Sequence, residues 1–357
     1  MSIGLLVNVL PAQETGFMPK TPDVPASPRS RVLLSLKPAP STPRHSEGDL
    51  LRLDDGSLLL VWTRFTSGTG GDHDPADLVS SVSTDGGKQW SSPRVVVPSE
   101  GGMNVMSATL RRLPDGRIAL FHLVKHSLLN CRPVVRFSSD EGHHWSEPIE
   151  IVPADDVGYD VLNNDRVSID DHGRLLVPVA RHAGAGMTTR FSAAGRLRCY
   201  RSIDQGVTWK PGEWAPDVPG VVLQEPGIFE ARDGTLRLHA RTDDGRHYIA
   251  SSEDDGLTFS TPRPWTLRSP MSPATVEKIA LDVHNNESEK KKEIVLRANG
   301  HRLTFEGYLA AYNVVSARRG KEDDPEDARV NKDDDGDEKD SNEDDDDEDD
   351  SSSAAST

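Results

Sequence analysis

Ser83-Thr84-Asp85-Gly86-Gly87-Lys88-Gln89-Trp90 returns as Ser138-Ser139-Asp140-Glu141-Gly142-His143-His144-Trp145 and as Ser202-Ile203-Asp204-Gln205-Gly206-Val207-Thr208-Trp209. A fourth copy reads Ser252-Glu253-Asp254-Asp255-Gly256-Leu257-Thr258-Phe259. The shared pattern is Ser-x-Asp-x-Gly-x-x-aromatic, with a proline within four residues after each copy. One such turn says little, because Asp accepts backbone N–H groups and Gly supplies positive φ in turns of many folds. Four in one register describe a repeating unit, in which the aromatic plugs the space beneath a hairpin turn.

A second series is interleaved with the first. Leu53-Asp54-Asp55-Gly56 precedes the apolar run Ser57 to Trp62, and Leu113-Pro114-Asp115-Gly116 precedes Arg117 to Phe121. Asp171-His172-Gly173 and Arg232-Asp233-Gly234 do the same for Arg174 to Val179 and Thr235 to Leu238. The glycines at 56, 116, 173 and 234 are 60, 57 and 61 residues apart. Each turn opens a short apolar strand, and no segment carries a helical period. A unit of this length holds about four short strands, the size of a propeller blade. The chain therefore reads as all-β.

Composition sets outer bounds. Of the 357 residues, 41 are Lys or Arg and 58 are Asp or Glu, a formal net charge of −17. Lys321 to Asp350 holds 19 acids and four bases, a net of −15, so the rest carries only −2. A near-neutral body lacks the basic footprint of a nucleic-acid binder, and no nucleic-acid partner is expected. The acidic run repels itself and buries nothing, so residues 319–357 read as a disordered tail. No apolar stretch approaches the roughly 20 residues of a membrane span. Cys131 and Cys199 allow at most one disulfide and no metal cluster. Residues 11–43 contain eight prolines, and 1–43 reads as an extended arm. Its apolar run Ile3 to Val7 lacks a positive flank, which makes a weak signal segment and leaves secreted, periplasmic and cytoplasmic locations open.

The Ser-x-Asp-x-Gly-x-x-Trp copies resemble the Asp boxes of the sialidase (neuraminidase) superfamily, and the resemblance covers about 44 to 278. It implies a six-bladed β-propeller over 44–318, with the last blade diverged or incomplete. Asp boxes are structural, so by themselves they speak for fold more than for chemistry. The superfamily grips a sugar carboxylate with three arginines, whose planar forks suit a carboxylate. It attacks with a Tyr activated by a Glu, since a phenol of pKa about 10 needs a base. An Asp serves as acid and base.

Carried over residue by residue, the segment Gln224-Glu225-Pro226-Gly227-Ile228-Phe229-Glu230-Ala231-Arg232-Asp233-Gly234, continuing to Arg241, is similar to bacterial sialidases. It implies Glu225 as the tyrosine's partner and Arg241 as a clamp residue. A surface Glu before a strand and an Arg at a strand end is the plainer alternative. Asp72, with Asp74 as the alternative, occupies the loop Gly68-Thr69-Gly70-Gly71-Asp72-His73-Asp74 where the family keeps its acid. The plainer alternative there is a solvated loop, and one Asp-His-Asp trio makes no metal site. Neither metal nor cofactor is expected. Arg44, in Pro43-Arg44-His45-Ser46-Glu47-Gly48-Asp49, stands where the family's Arg-Ile-Pro motif belongs, but Ile-Pro is replaced by polar residues. Glu47 and Asp49 would then also face the pocket, and Arg64 would be an extra clamp residue. Asn104 and Asn164 lie on polar segments leading into repeated strands, where they line a mouth or simply make turns.

Beyond Ile279 the family pattern stops. Arg302 and either Tyr308 or Tyr312 are the candidates for the third arginine and the nucleophile. The resemblance implies an exo-glycosidase, a retaining hydrolase of a terminal acidic sugar on a glycan or glycoconjugate. The alternative is a non-catalytic propeller that binds a glycan or protein through the same mouth. Oligomeric state is not legible.

Overall fold

The structure is a computed structural model that describes residues 5–10, 33–184, 187, 190–268, 274–278, 280–284, 293–298, 301–302 and 308–313. Among the described residues there is no helix, hence none long and apolar enough to cross a membrane. The acidic tail lies outside the described residues.

The repeats become four successive antiparallel strand groups. The first contains Arg44–Arg52, Leu58–Phe65, Ala76–Ser83 and Arg94–Val97 in sequential order. The second contains Asn104–Arg112, Ile118–Ser127, Asn130–Ser138 and Ile149–Glu150. The third contains Gly158–Val161 and Ser168–Ile169, both paired with Leu175–Gly184, then Arg196–Ser202 and Lys210–Pro211. The fourth contains Leu223–Glu230, Leu236–Thr242, Arg246–Ser252 and Arg263–Arg268. A parallel pairing of Tyr159 with Cys131 joins the second and third groups into one nine-stranded sheet. Farther on, Ala274–Lys278 pairs with Tyr308–Asn313, which pairs on its other edge with Leu5–Leu10. Residues 5–10, part of the arm in the sequence reading, thus form a strand. Ala280–His284, Glu293–Ala298 and His301–Arg302 make a further small sheet.

The central strands are apolar on both faces because each group packs against its neighbours. Leu59, Val61, Leu78, Val105, Leu110, Ile118 and Leu120 join the first group to the second. Phe121, Val135, Tyr159, Leu175, Val177 and Tyr200 continue that core into the third, and Leu176, Ala180, Ile228 and Leu238 into the fourth. Cys131 and Cys199 are buried and unpaired, so the one disulfide the composition allows is not made. Burial pushes both thiols up to about 12.

Each Asp box is a hydrogen-bonded knot between a group's third and fourth strands. In the second copy Ser138 Oγ donates to Asp140 Oδ1 at 2.9 Å and accepts from Gly142 N at 2.8 Å, while Asp140 Oδ1 also accepts from His144 N at 2.8 Å. The same three bonds recur in the copies at 202 and 252. Two successive left-handed residues make the turn, Glu141 and Gly142 in this copy. Only Gly fits the second position, since a Cβ on Gly142 would stand 2.9 Å from Leu59 Cδ2 of the preceding group. The first left-handed residue reaches back to that group too: Glu141 accepts from Asp54 N at 3.0 Å, and Gln205 accepts from Asp115 N at 3.1 Å. The second and third boxes therefore fasten their groups to the turn of the group before.

Candidate functional site

A non-glycine residue in the left-handed region stands on the first strand of three groups and, in the third, in the turn between Gly158–Val161 and Ser168–Ile169. Glu47 has φ 50°, Ser107 φ 67°, Asp165 φ 55° and Glu225 φ 50°. They precede the turn glycines 56, 116, 173 and 234 by nine, nine, eight and nine residues. In three groups the register shifts at this point, between Ser46 and Asp49, Met106 and Thr109, and Gln224 and Gly227. A bulge of this kind re-aims a side chain, and such strain, of order 1–3 kcal/mol per residue, gathers at functional sites. Neighbouring bulges also bind one another. Ser107 Oγ donates to Glu47, Asp165 N donates to Thr109 Oγ1 at 2.6 Å, and Asn164 Nδ2 donates to the Gly48 carbonyl at 3.2 Å.

Arg44 lies on the first of these strands with its guanidinium over the Phe65 ring, 4.8 Å from the centroid. Its Nη1 donates to Asp72 Oδ1 at 2.5 Å and to the Gly70 carbonyl at 3.2 Å, and its Nη2 to Glu47 Oε1 at 3.3 Å. The glycine-rich loop can lie this close because Gly70, at φ 79°, has no Cβ to meet that of Arg44. Asp72 and Asp74 separate here. Asp74 Oδ2 is turned into its own loop and accepts from Thr69 N at 2.9 Å and Gly71 N at 2.8 Å. Asp72 reaches outward to Arg44. Asn104 Nδ2 and Lys125 Nζ hold the Asp72 carbonyl at 3.0 and 2.9 Å, so Asn104 positions this loop.

On the fourth group, Arg241 pairs across the ladder with Gln224, and its Nη2 donates to the Gln224 side chain. Its Nε stands 3.1 Å from Glu225 Oε2, an ion pair without the alignment of a hydrogen bond. Buried Arg166 donates to the Asn164 carbonyl at 3.0 Å and to Thr275 Oγ1, on the strand paired with Tyr308–Asn313. Tyr308, Tyr312 and Arg302 lie on strands of which only the backbone is described, Tyr312 opposite Ala274 and Arg302 opposite Arg297. Arg64 is taken up by Asp77, its Nε and Nη2 at 3.0 and 2.6 Å from the two carboxylate oxygens. Asp49 turns inward, accepting from Leu110 N at 2.8 Å and Arg111 Nη1 at 3.0 Å.

The electrostatics tie these residues into one neighbourhood. Burial raises the Glu47 carboxyl, against the Ser107 hydrogen bond and the charge of Arg44. Burial likewise raises Glu225, opposed by Arg241 and Arg166, with the charge of Asp72 adding to the rise. Partial burial also acts upward on Asp72, but the hydrogen bond and charge of Arg44, with Lys125, outweigh it and hold that carboxyl below its usual range. Tyr159 is raised first by burial and then by Cys131, Asp72 and Glu47. Lys125 Nζ lies 5.8 Å from the centroid of that ring, and Phe191 packs edge-on to it at 5.4 Å. Lys125, Tyr159 and Phe191 carried no sequence signal, since each lies outside the two repeated motifs. The left-handed residues were legible in principle, as polar residues eight or nine positions before each turn glycine. Among the described residues no cluster of three or more His, Cys, Asp or Glu side chains suits a metal ion.

The BNR repeat-like domain model matches residues 53–306. No curated protein matches the chain. Among solved structures, a protein of unknown function from Dyadobacter fermentans superposes with a TM-score of 0.56 at 19% identity, over 75% of this chain and 80% of that one. The Hadza microbial sialidase Hz136 gives 0.55 at 19% identity, over 72% of this chain and 53% of that one, so the chain spans about half its length. The NanB sialidase from Streptococcus pneumoniae gives 0.55 at 11% identity, over 82% and 71%. At these identities the likeness is one of fold.

Proposed function

As the chain belongs to the BNR repeat-like domain family of the sialidase superfamily, we propose that it is an exo-glycosidase removing a terminal, carboxylate-bearing sugar from a glycan with retention of configuration. In this reading the four strand groups are blades, and the strands after Ala274, together with Leu5–Leu10, complete a six-bladed propeller.

One observation carries the proposal. Two arginines, Arg44 and Arg241, and two carboxylates, Asp72 and Glu225, stand in one electrostatic neighbourhood although they come from opposite ends of the repeat array. The arginines, joined by Arg302, would grip the sugar carboxylate. Glu225, raised by burial, would take the proton of Tyr308 or Tyr312 as the phenolate oxygen bonds to the anomeric carbon. Asp72 would pass its proton to the glycosidic oxygen as that bond breaks. Water would then attack the anomeric carbon, giving its proton to Asp72, while the departing tyrosine takes its proton back from Glu225.

Hydrolysis of a fluorogenic sialoside tests this. Asp72→Asn and Glu225→Gln should each lower kcat on the order of 10²–10⁴-fold, the usual range for general acid–base groups. A second reading, a propeller that binds glycans without turnover, is favoured by the carboxylates that already engage both arginines. Glycan binding with no release of fluorophore, unchanged by either substitution, supports it instead.

A further inference from the structure

Under the proposed function Arg44 must receive the carboxylate of the sugar, yet its guanidinium already faces two carboxylates, Asp72 at 2.5 Å and Glu47 at 3.3 Å. Three anions around one guanidinium repel one another and outnumber its well-aligned donor pairs. One of the two residents has to leave.

The surroundings decide which. The Glu47 side chain is 17% exposed, accepts a hydrogen bond from Ser107, and is aimed by its left-handed backbone. The Asp72 side chain is 60% exposed, and the hydrogen bond described for its carboxyl is the one from Arg44. An ion pair open to water and salt contributes little net stability, so this contact exchanges easily. The loop need not move with it. Asn104 and Lys125 grip the Asp72 carbonyl rather than its carboxyl, and Asp74 closes the loop from within.

The geometry points to a carboxylate exchange: the substrate carboxylate takes the place of Asp72 on Arg44, and the displaced Asp72 binds a proton from solvent, which makes it the acid the leaving oxygen requires. The inference rests on the sialidase-like reading and adds the event that arms the acid. Among the described residues, the charged and titratable groups acting on Asp72 are Arg44 and Glu47 from the first strand, His73 from its loop, with Asp74 beyond it, Lys125 from Ile118–Ser127, Tyr159 from Gly158–Val161, and Glu225 from the fourth group. Lys125 stays in place after the exchange and favours the ionised form. Against it stand the loss of Arg44 and the arrival of a new anion beside Glu47. The proton count closes: the sugar carboxyl arrives ionised, one proton enters from water, and it leaves with the glycosidic oxygen when the bond breaks.

The full-length chain can be titrated calorimetrically with 2,3-didehydro-2-deoxy-N-acetylneuraminic acid in buffers of different ionisation enthalpy. Exchange predicts net uptake of up to one proton per ligand, and affinity falling by up to about tenfold per pH unit as pH rises. Asp72→Asn should abolish the uptake and flatten the pH dependence, while Glu47→Gln retains both. Tight binding without uptake by the unsubstituted chain overturns the exchange and leaves the site's reading standing. Uptake that persists in Asp72→Asn also overturns it. Absence of any binding overturns the reading of the site and the exchange together.

Discussion

Asp72 and Asp74 are two residues apart in one glycine-rich loop, and only their surroundings distinguish an outward carboxylate from one spent on its own loop. Sequence singled out the loop because glycines let a chain approach a ligand, but side-chain direction depends on Arg44, 28 residues earlier. The same limit applies to Arg64, legible as an arginine ending an apolar strand, whose fork is filled by a cross-strand aspartate. Buried histidines give a prediction at this scale. His122 Nε2 accepts from Arg136 Nε at 3.3 Å and its Nδ1 faces the Leu123 carbonyl, an arrangement for the neutral ring. Burial, with Arg136, lowers its pKa to about 3, and burial, with His247 and Arg166, lowers that of His239 as well. The unfolded chain therefore binds protons that the folded chain refuses. Stability is fully present above the unfolded value of about 6.5 and falls below it by up to about 1.4 kcal/mol per pH unit for each such histidine. Urea unfolding at pH 7.5, 6.5 and 5.5 should show the fall, and His122→Gln should reduce its slope. A stability independent of pH over that range contradicts the assignment.

Among the elements, the Asp box was the most legible feature, because its Ser, Asp and Gly are each demanded by a local bond or a local φ. The bulge was not read, because any small or polar residue can occupy the left-handed position once neighbouring strands hold it there. Ser138→Ala would remove the acceptor of the buried Gly142 N–H, a loss of roughly 1–3 kcal/mol. Gly142→Ala adds left-handed strain of about 1–2 kcal/mol and a clash with Leu59 of about 1–3 kcal/mol more. Gly116→Ala, at φ 89° in open space, carries the strain alone. Chemical denaturation of the three variants should therefore place Gly142→Ala as the least stable and Gly116→Ala above it. Equal losses at the two glycines would mean that the boxes do not bind one strand group to the turn of the one before.

For the whole molecule, the period of about 60 residues was legible in the chain itself, whereas the candidate site residues came only through the family resemblance, for one physical reason. A repeat is written within each unit, whereas the candidate site is assembled from residues of different units that share no local pattern. Arg44, Asp72, Lys125, Tyr159, Arg166 and Glu225 come from four strand groups and meet only when these pack. The net charge of −17 is likewise a property of one segment, and the site carries arginines and carboxylates in near balance. On the proposed function, a balanced site would hold a carboxylate-bearing sugar by rearranging its own ion pairs, which would link recognition to proton supply. Retaining hydrolysis of a terminal acidic sugar, as proposed, can be followed in a proton NMR time course of sialyllactose incubated with the full chain. Free sialic acid should appear first as the α anomer and then mutarotate; release of the β anomer first, or no release at all, rules out the proposed reaction.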